Sequence, residues 1–405
     1  MLREDRAVLD SRRVVVTGLG LASPLGCDVE EFWTNVTTGA VATALVTRFA
    51  TDGYPTRLAA EVAAPGLSDP DPDVPRSVRY VRHSARAALR QAGLGQGAVA
   101  RERAGIVVGT VMGTRPHLEE LRRQGRPLTR GGPWDTPGLL ADDPARTFGL
   151  RGPRQAVAAG CAAGNTALAL AADEIRAGRA DVMVAGGVDE LSEAVFQLFT
   201  TLRALTPDRV RPFDRDRRGM LPSEGAGVLV LESLEHARRR GAQVLAELAG
   251  WAVAADAHHM TAPHPKSAGL LHCMAESLRG AGLRPDEIDH VSAHGTGTPA
   301  NDALEAAAVA EFFTPYGARP ALSSLKGMLG HAQGGASALE AIACVLAVGR
   351  GRVPGNPTLE HPDDACAPLD VVRGPSRDLP VRAALSNAFG FGGNTSAVVL
   401  TRYGG

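Results

Sequence analysis

Residues 158–177 read AAGCAAGNTALALAADEIRA and contain the turn from strand to helix that decides the fold. The spacing of the apolar residues predicts a helix over 166–177, and the small residues before it allow a sharp elbow at Cys161. A thiol at a helix N-terminus meets the positive end of the helix dipole, so we expect a lowered pKa and a nucleophilic thiolate. The backbone N–H groups of such an elbow can also bind an oxyanion. The alternative is a small buried cysteine in an alanine-rich helix contact, which is the usual role of a free cysteine.

Short runs of β-branched residues on both sides of this elbow predict buried strands. They lie at 13–17, 105–109, 181–184 and 227–231, with helical periods at 78–92 and 166–177 between them. The alternation restarts near residue 245, with strands at 244–253, 289–293 and 396–401 and helices at 269–280 and 303–313. We therefore expect an α/β chain of two similar halves, residues 1–245 with the cysteine and residues 246–405. Clusters of proline, glycine and acidic residues at 65–75 and 125–143 predict surface loops.

The composition limits the classes of function that the chain can have. Its 405 residues carry 43 basic and 44 acidic side chains, and only Lys266 and Lys326 among the basic ones are lysine. A net charge of −1 gives no global field that would attract nucleic acid or an anionic membrane. The five dispersed cysteines show no zinc-binding spacing, so we predict no metal site and a reduced, cytoplasmic protein. The N-terminal residues have no apolar signal-peptide core, which agrees with that location.

Residues 16–23, VTGLGLAS, match the dinucleotide-binding pattern GxGxxG in part. Ser23 stands at the third glycine position and Pro24 follows where a helix should already run. No acidic residue ends a second strand about 20 residues further on. We therefore interpret this segment as a structural glycine turn and do not predict a nicotinamide site.

Two downstream segments carry side chains that suit nucleophilic chemistry at Cys161. Residues 292–299, SAHGTGTP, place His294 at the end of a predicted strand and before a loop rich in glycine and hydroxyl groups. Residues 323–331, SSLKGMLGH, place Lys326 and His331 five positions apart beside a glycine. A lone histidine is more often structural than catalytic, but two in loops of this composition favour a catalytic site. A lysine in an arginine-rich chain is also expected where a compact ammonium is needed.

Further motifs follow one another over residues 13–402: VVTGLG at 15–20, ADVMVAGG at 180–187, RPFD at 211–214, SEGAG at 223–227, DAHHMT at 256–261 and SNAFGFGG at 386–393. Together with the cysteine elbow and the two histidine segments, they resemble the decarboxylating β-ketoacyl-acyl carrier protein synthases, or ketosynthases, of the thiolase superfamily. The resemblance implies a thiolase-like α/β fold. In that fold, two pseudo-repeated βαβαβαββ halves form five layers in the order α-β-α-β-α.

The resemblance also implies a decarboxylative Claisen condensation and a role for each matching residue. Cys161 would accept an acyl group, with the N–H groups of Cys161 and Phe391 as oxyanion donors. His294 and His331 would stabilise the enolate that forms as malonyl-acyl carrier protein loses CO₂, and Lys326 and Glu224 would support them. The positions implied to contact substrate are Thr261, Thr296, Thr298, Asn394 and Phe391, the last of which would also act as a gate.

The partners implied by the resemblance are an acyl carrier protein and a second ketosynthase-like chain. No bound cofactor is implied, because the substrates arrive on the phosphopantetheine arm of the carrier. We expect a homodimer or a heterodimer with a chain-length-factor-like homologue. For carrier docking we consider the basic side chains of the first long helix, with an ordinary solvated helix face as the alternative: Arg76, Arg79, Arg82 and Arg86.

Departures from the family pattern bear on the pathway. Ala162–Asn165 after the cysteine, Leu325 before the lysine and the order Asn394–Thr395 differ from the usual fatty-acid enzymes. The cysteine segment is similar to type II polyketide and polyene ketosynthases, and a housekeeping fatty-acid elongating enzyme is the alternative. A thiolase is disfavoured because residues 387–395 contain no second cysteine. A non-catalytic scaffold or chain-length factor is disfavoured because the cysteine, both histidines and the lysine are present.

Overall fold

A computed structural model describes residues 13–63, 67, 73–95, 101–127, 132 and 134–404. The strands in chain order are β1 Val14–Ala22, β2 Ala44–Leu45, β3 Leu58–Ala59, β4 Ala104–Gly109, β5 Arg154–Val157, β6 Val182–Asp189, β7 Gly225–Ser233, β8 Ala246–Ala255, β9 His290–Ser292, β10 Ala321–Ser323, β11 Arg352–Pro354, β12 Asp370–Val371, β13 Ser376–Asp378, β14 Ala383–Gly390 and β15 Asn394–Thr401.

The α-helices among the described residues are α1 Val29–Thr38, α2 Arg76–Gln91, α3 Arg115–Arg123, α4 Leu139–Phe148, α5 Ala163–Arg176, α6 Glu193–Thr201, α7 Leu234–Arg239, α8 Ala268–Ala281, α9 Pro299–Phe313, α10 Lys326–Leu329 and α11 Ala336–Arg350. Every strand and helix predicted from the sequence is present within a few residues. The elements not predicted include β14 and α11. Alanine dominates α11, and all residues from Ala336 to Val348 are buried, so its sequence carries no amphipathic period.

Eleven strands form one mixed sheet in the order β12-β10-β9-β14-β15-β8-β1-β7-β6-β4-β5. In the first half, β1, β7 and β6 pair antiparallel, and β6, β4 and β5 pair parallel. In the second half, β8, β15 and β14 pair antiparallel, and β14, β9 and β10 pair parallel. The two halves therefore repeat the same strand order and direction, and they join where the corresponding strands β1 and β8 pair antiparallel.

Helices form three layers around the two halves of the sheet. The buried helices α5 and α11 lie between the halves, because each contacts strands of both. On the outer faces, α2 packs against β1 and β7, and α8 packs against β8 and β15. This arrangement gives the layer order α-β-α-β-α and confirms the thiolase-like fold. It also brings the ends of β5, β9 and β14 to the centre of the molecule.

The glycines of the VTGLGLAS segment lie inside β1 and not in a phosphate-binding turn. A Cβ added to Gly18 would come within 2.1 Å of the Ala88 carbonyl oxygen, and one added to Gly20 within 1.9 Å of the Ser84 carbonyl oxygen. Glycine is needed here because α2 packs directly on the strand backbone. The glycines are structural, but the predicted glycine turn is wrong, because Gly18 and Gly20 lie within strand β1 and allow helix packing.

The predicted loop at 125–143 is partly wrong, because α4 begins at Leu139 and continues to Phe148. Pro144 lies inside this helix, and the density of proline and glycine before it had favoured a loop. Part of the other predicted loop, residues 65, 66 and 68–72, lies outside the described residues.

Candidate active site

Cys161 lies in a tight elbow between β5 and α5, as the sequence predicted. Gly160 has a φ of +55°, a left-handed conformation that favours glycine. A Cβ on Gly160 would lie 3.3 Å from the amide nitrogen of Phe391, and one on Gly390 would lie 2.8 Å from that of Cys161. The elbow therefore packs against the turn between β14 and β15. This contact brings the backbone nitrogens of Cys161 and Phe391, the two predicted oxyanion donors, next to each other.

Cys161 is 8% exposed, and the pKa of its thiol differs from the prediction. Burial raises the pKa to about 12, while the charge of Lys326 acts in the opposite direction. The predicted lowering by the helix N-terminus is therefore wrong in direction, because the cost of desolvating a thiolate dominates. In the unliganded protein the sulfur carries its proton at neutral pH.

His294 and His331 lie side by side and are uncharged. Their ring centroids are 5.4 Å apart with an interplanar angle of 82°. Burial and the positive charge of Lys326 hold the pKa of both imidazoles well below its ordinary value. The backbone N–H of Gln333 donates to Nδ1 of His331 at 3.2 Å, and the ammonium of Lys326 lies 3.4 Å from Nδ1 of His294. Since each Nδ1 faces a donor, each ring carries its proton on Nε2.

Lys326 is buried beside His294 and is held by a carboxylate that the sequence analysis missed. Its Nζ donates to Oε1 of Glu340 at 2.5 Å and to the carbonyl oxygen of His294 at 2.5 Å. Lys326 and Glu340 are each 1% exposed. Burial raises the pKa of Glu340, and the ammonium of Lys326 opposes that rise. A sequence signal existed, since Glu340 is the one charged residue between Ala336 and Val348 in an otherwise small and apolar helix.

Glu224, predicted to support the site, lies elsewhere. Its carboxylate accepts hydrogen bonds from Arg48 at 2.6 Å and Arg76 at 3.2 Å, and from the backbone N–H groups of Val62 and Leu191. The prediction is corrected: the carboxylate that meets Lys326 belongs to Glu340. The link from Glu224 to the two histidines runs through the neighbouring residue Ser223. The backbone N–H of Ser223 donates to the carbonyl oxygen of His331 at 2.9 Å.

Two further buried carboxylates, also missed, hold the loop that follows His294. Glu305 accepts hydrogen bonds from the N–H groups of His294 at 2.7 Å and Gly295 at 2.8 Å. Asp302 accepts from the N–H of Gly297 at 3.1 Å. Burial raises the pKa of Glu305 to about 8. Both residues come from α9, which fixes the loop from one side.

A cavity of about 370 Å³ connects the reactive groups with the surface. Cys161, His294 and His331 line it, and so do all the positions predicted to contact substrate: Thr261, Thr296, Thr298, Phe391 and Asn394. The hydroxyl oxygens of Thr296 and Thr298 lie 2.9 Å apart. Phe391 is 37% exposed, and the centroids of its ring and the Phe199 ring lie 5.8 Å apart. Phe391 therefore both lines the cavity and contacts solvent, and its role as a gate stays a prediction.

Two of the four arginines considered for carrier docking already pair with carboxylates of this chain. Arg76 pairs with Glu190 and Glu224, and Arg82 pairs with Asp143. These ion pairs give the two guanidinium groups a role in the fold. Arg86 is exposed and borders a second cleft. Carrier docking by the four arginines stays a prediction.

Outside the cavity, one group of side chains has metal-ligand composition. Asp214, Asp216 and His361 bring one ligand atom each within 4.8 Å of one another. Both carboxylate oxygens of Asp214 already accept backbone N–H groups from residues 216, 360 and 361, so its role in the fold is clear. Among the described residues, no helix combines the length and the apolarity required to cross a membrane.

Comparison with known proteins agrees with this geometry. Residues 11–237 match the model of the β-ketoacyl synthase N-terminal domain, and residues 245–360 match that of the C-terminal domain. The chain is 36% identical to 3-oxoacyl-(acyl-carrier-protein) synthase 2 of Coxiella burnetii, over 97% of this chain and 99% of the relative.

Two solved structures are also similar. The ishigamide ketosynthase/chain length factor aligns with a TM-score of 0.90 and 39% identity, over 97% of this chain and 100% of that one. A chain of the AntDE:AntF complex, a type II polyketide acyl-carrier protein in complex with its ketosynthase, aligns with a TM-score of 0.88 and 29% identity, over the same shares of the two chains. The chain belongs to the β-ketoacyl synthase family.

Proposed function

We propose that the protein condenses an acyl group held on Cys161 with malonyl-acyl carrier protein and releases CO₂ and a β-ketoacyl-acyl carrier protein. One observation carries the proposal: a cysteine and two neutral imidazoles, each with its proton on Nε2, line a single cavity beside a buried lysine. A thioester nucleophile must also be a good leaving group, which favours sulfur at this position. The substrates would enter on a phosphopantetheine arm, and no bound cofactor is needed for either step.

In the first half-reaction the sulfur of Cys161 attacks the carbonyl carbon of the thioester that joins the acyl group to the acyl carrier protein. A new C–S bond forms, and the pantetheine sulfur leaves and takes up the proton that the thiol loses. The negative oxygen of the tetrahedral intermediate would be held by the N–H groups of Cys161 and Phe391, which lie at the contact between the elbow and the turn. Because burial raises the pKa of this thiol to about 12, we expect the thiol to lose its proton as it attacks.

In the second half-reaction the C–C bond to the malonyl carboxylate breaks, CO₂ leaves, and the electron pair forms an enolate. The Nε2–H groups of His294 and His331 would donate to the enolate oxygen, which neutral imidazoles can do without first losing a proton. The enolate carbon attacks the acyl-Cys161 carbonyl, and the thiolate leaves and is protonated. One proton is therefore consumed in each condensation.

Intact-mass spectrometry tests the covalent step. After incubation with a carrier protein that bears an acyl group, or with cerulenin, the wild type should gain one covalent adduct and Cys161→Ala should gain none. Cys273→Ala is the matched control, because burial raises the pKa of that thiol to about 12 as well, yet Cys273 does not line the cavity. An adduct that persists in Cys161→Ala would overturn the proposal.

For the pathway, we favour a type II polyketide or polyene system over housekeeping fatty-acid elongation. The similarity to the ishigamide ketosynthase/chain length factor supports this choice, as does the segment Ala162–Asn165. The fatty-acid alternative is supported by the Coxiella burnetii relative. Product analysis with purified fatty-acid and polyketide carrier proteins would separate the two.

The assembly that we propose is a dimer, either of this chain or with a chain-length-factor-like homologue. The strand β5 supports it, since it ends the eleven-stranded sheet, and Arg154 and Gln155 on it are exposed. Light scattering at micromolar concentration should give a dimer, alone or with such a partner. We also propose that the chain divides into residues 1–245 and 246–405, which the repeated strand order supports. A cytoplasmic location is proposed as well, and the five free cysteines support it.

A further inference from the structure

A second cleft lies at the opposite end of the first half from Cys161. It is bordered by Ala104 and Val182, the first residues of β4 and β6, and by Leu150 just before β5. Cys161, in contrast, follows the last residue of β5. Since β4, β5 and β6 are parallel, the two openings lie at opposite edges of these strands. The cleft has a volume of about 600 Å³, which is within the range of small-molecule sites.

Four exposed arginines from three separate segments line this cleft: Arg86, Arg90, Arg101 and Arg146. Arg86 and Arg90 are four residues apart on α2, where like charges repel. Arg101 comes from the turn before β4, and its guanidinium reaches Gly149 at the end of α4. The lining contains no acidic side chain among the described residues.

The acidic side chains near these arginines are already paired with other residues. Among the described residues, Asp142 pairs with Arg154, Asp143 with Arg82, Glu102 with Arg151 and Glu232 with Arg240. None of the four cleft arginines has a carboxylate partner within the described part of the chain, and the Nε of Arg146 donates only to the Asp142 carbonyl oxygen. Most arginines elsewhere in the described part of the chain form ion pairs, so the cleft concentrates positive charge that the described residues leave unneutralised.

The floor of the cleft is apolar, with Leu89, Leu94, Leu150, Val182 and Phe148. Guanidinium groups bind phosphate oxygens in a bidentate manner and stack on flat rings. We propose that this cleft binds a small anion with two or more phosphate groups and an apolar or aromatic part, of the nucleotide class. The site is independent of the condensation chemistry, since it shares no residue with the Cys161 cavity.

The competing explanation is that the arginines only offset the negative ends of α2 and α4. It accounts for Arg90 and Arg146 but not for Arg101, which lies on neither helix. It also predicts no ligand. Binding measurements therefore decide between the two explanations.

The test is isothermal titration calorimetry of the full chain with pyrophosphate, ADP and adenosine at low ionic strength. We expect pyrophosphate and ADP to bind, ADP more tightly, adenosine to bind far more weakly than either, and affinity to fall as salt rises. Arg86→Gln/Arg101→Gln should bind about tenfold more weakly or worse, as expected for the loss of charge-assisted hydrogen bonds. Arg122→Gln removes one exposed charge elsewhere on the surface and should leave binding unchanged.

Two controls keep the outcome unambiguous. Arg101→Gln alone changes no residue of an α-helix, since Arg101 lies in the short 3-10 turn before β4, so it replaces the double variant if that one unfolds. Arg203→Gln changes a cation at the rim of the Cys161 cavity. The proposal is overturned if neither anion binds, if binding survives Arg101→Gln unchanged, or if Arg203→Gln abolishes it, which would place the anion at the active-site entrance.

Discussion

Replacement of Glu340 by glutamine tests which carboxylate supports the catalytic lysine. Glu340→Gln keeps the size of the side chain but removes the negative charge 2.5 Å from Nζ of Lys326. An ammonium that is 1% exposed then has no counter-charge. Breaking a buried ion pair from one side costs about 3–5 kcal/mol, so we expect a loss of unfolding free energy in that range, measured by urea denaturation.

The same change should affect one half-reaction more than the other. Without the Glu340 carboxylate, the ammonium of Lys326 loses the contact that holds it beside Nδ1 of His294. A displaced ammonium polarises His294 less, so the Nε2–H becomes a weaker donor to the enolate. Decarboxylation of malonyl-acyl carrier protein should therefore fall by roughly tenfold or more, where tenfold corresponds to about 1.4 kcal/mol of barrier. Self-acylation of Cys161 should change less.

Glu224→Gln is the matched control, because Glu224 is equally buried but meets Arg48 and Arg76. It should also destabilise the fold, yet leave the ratio of decarboxylation to self-acylation near the wild-type value. Two assays on the same preparations measure that ratio: release of ¹⁴CO₂ and acyl transfer followed by mass spectrometry. The reasoning is refuted if Glu340→Gln keeps the wild-type ratio, or if Glu224→Gln shifts it equally.

Three other predictions follow from the packing and the buried charges. Gly164→Ala would place a Cβ 2.6 Å from the Ala338 backbone nitrogen between α5 and α11, so its unfolding free energy, measured by urea denaturation, should fall by about 1–3 kcal/mol. Gly349→Ala is the control: its added Cβ would meet nothing within 4 Å, and the unfolding free energy should rise by roughly 0.5–1 kcal/mol. Burial lowers the pKa of His290 from 6.5 to about 3, so below pH 6.5 the unfolded chain binds a proton that the folded chain does not. Stability is therefore lost as the pH falls, and between pH 7 and 5 the wild type should lose about 2 kcal/mol more than His290→Asn in denaturant titrations. Finally, His294→Ala and His331→Ala should impair decarboxylation more than self-acylation; an equal loss in both assays would contradict the enolate role.

The amphipathic and β-branched elements of this fold, and the central helix α5, could be predicted from the sequence, whereas the central helix α11 could not. Strands such as β4 and β7 carry their own signal in runs of valine and leucine. In contrast, α5 and α11 contact both halves of the sheet, so neither needs a polar face, and periodicity is absent from α11. The short strand β5 has two exposed residues at its start and is defined mainly by pairing with β4.

In the site, side chains that carry chemistry could be found from residue type, but their partners depend on tertiary contacts. Short motifs of small residues surround Cys161, His294, Lys326 and His331, so these four residues can be recognised from the sequence alone. Glu340 is 14 residues from Lys326 and becomes its partner only through the tertiary arrangement of α10 and α11. The pKa of Cys161 could not be predicted for the same reason, since the elbow alone indicates a helix N-terminus and the burial that outweighs it comes from surrounding elements.

The position of Lys326 also explains why an arginine-rich chain keeps a lysine there. Three acceptors converge on Nζ within 3.4 Å: Oε1 of Glu340, the carbonyl oxygen of His294 and its Nδ1. An ammonium places three donors around one point, whereas a guanidinium spreads five donors across a plane. A guanidinium in this buried pocket would have to leave donors without partners, which is costly in the interior. Charge alone therefore does not explain a lysine at position 326, because 41 of the 43 basic side chains are arginine. The convergence of three acceptors on the single nitrogen Nζ explains why lysine is favoured there over arginine.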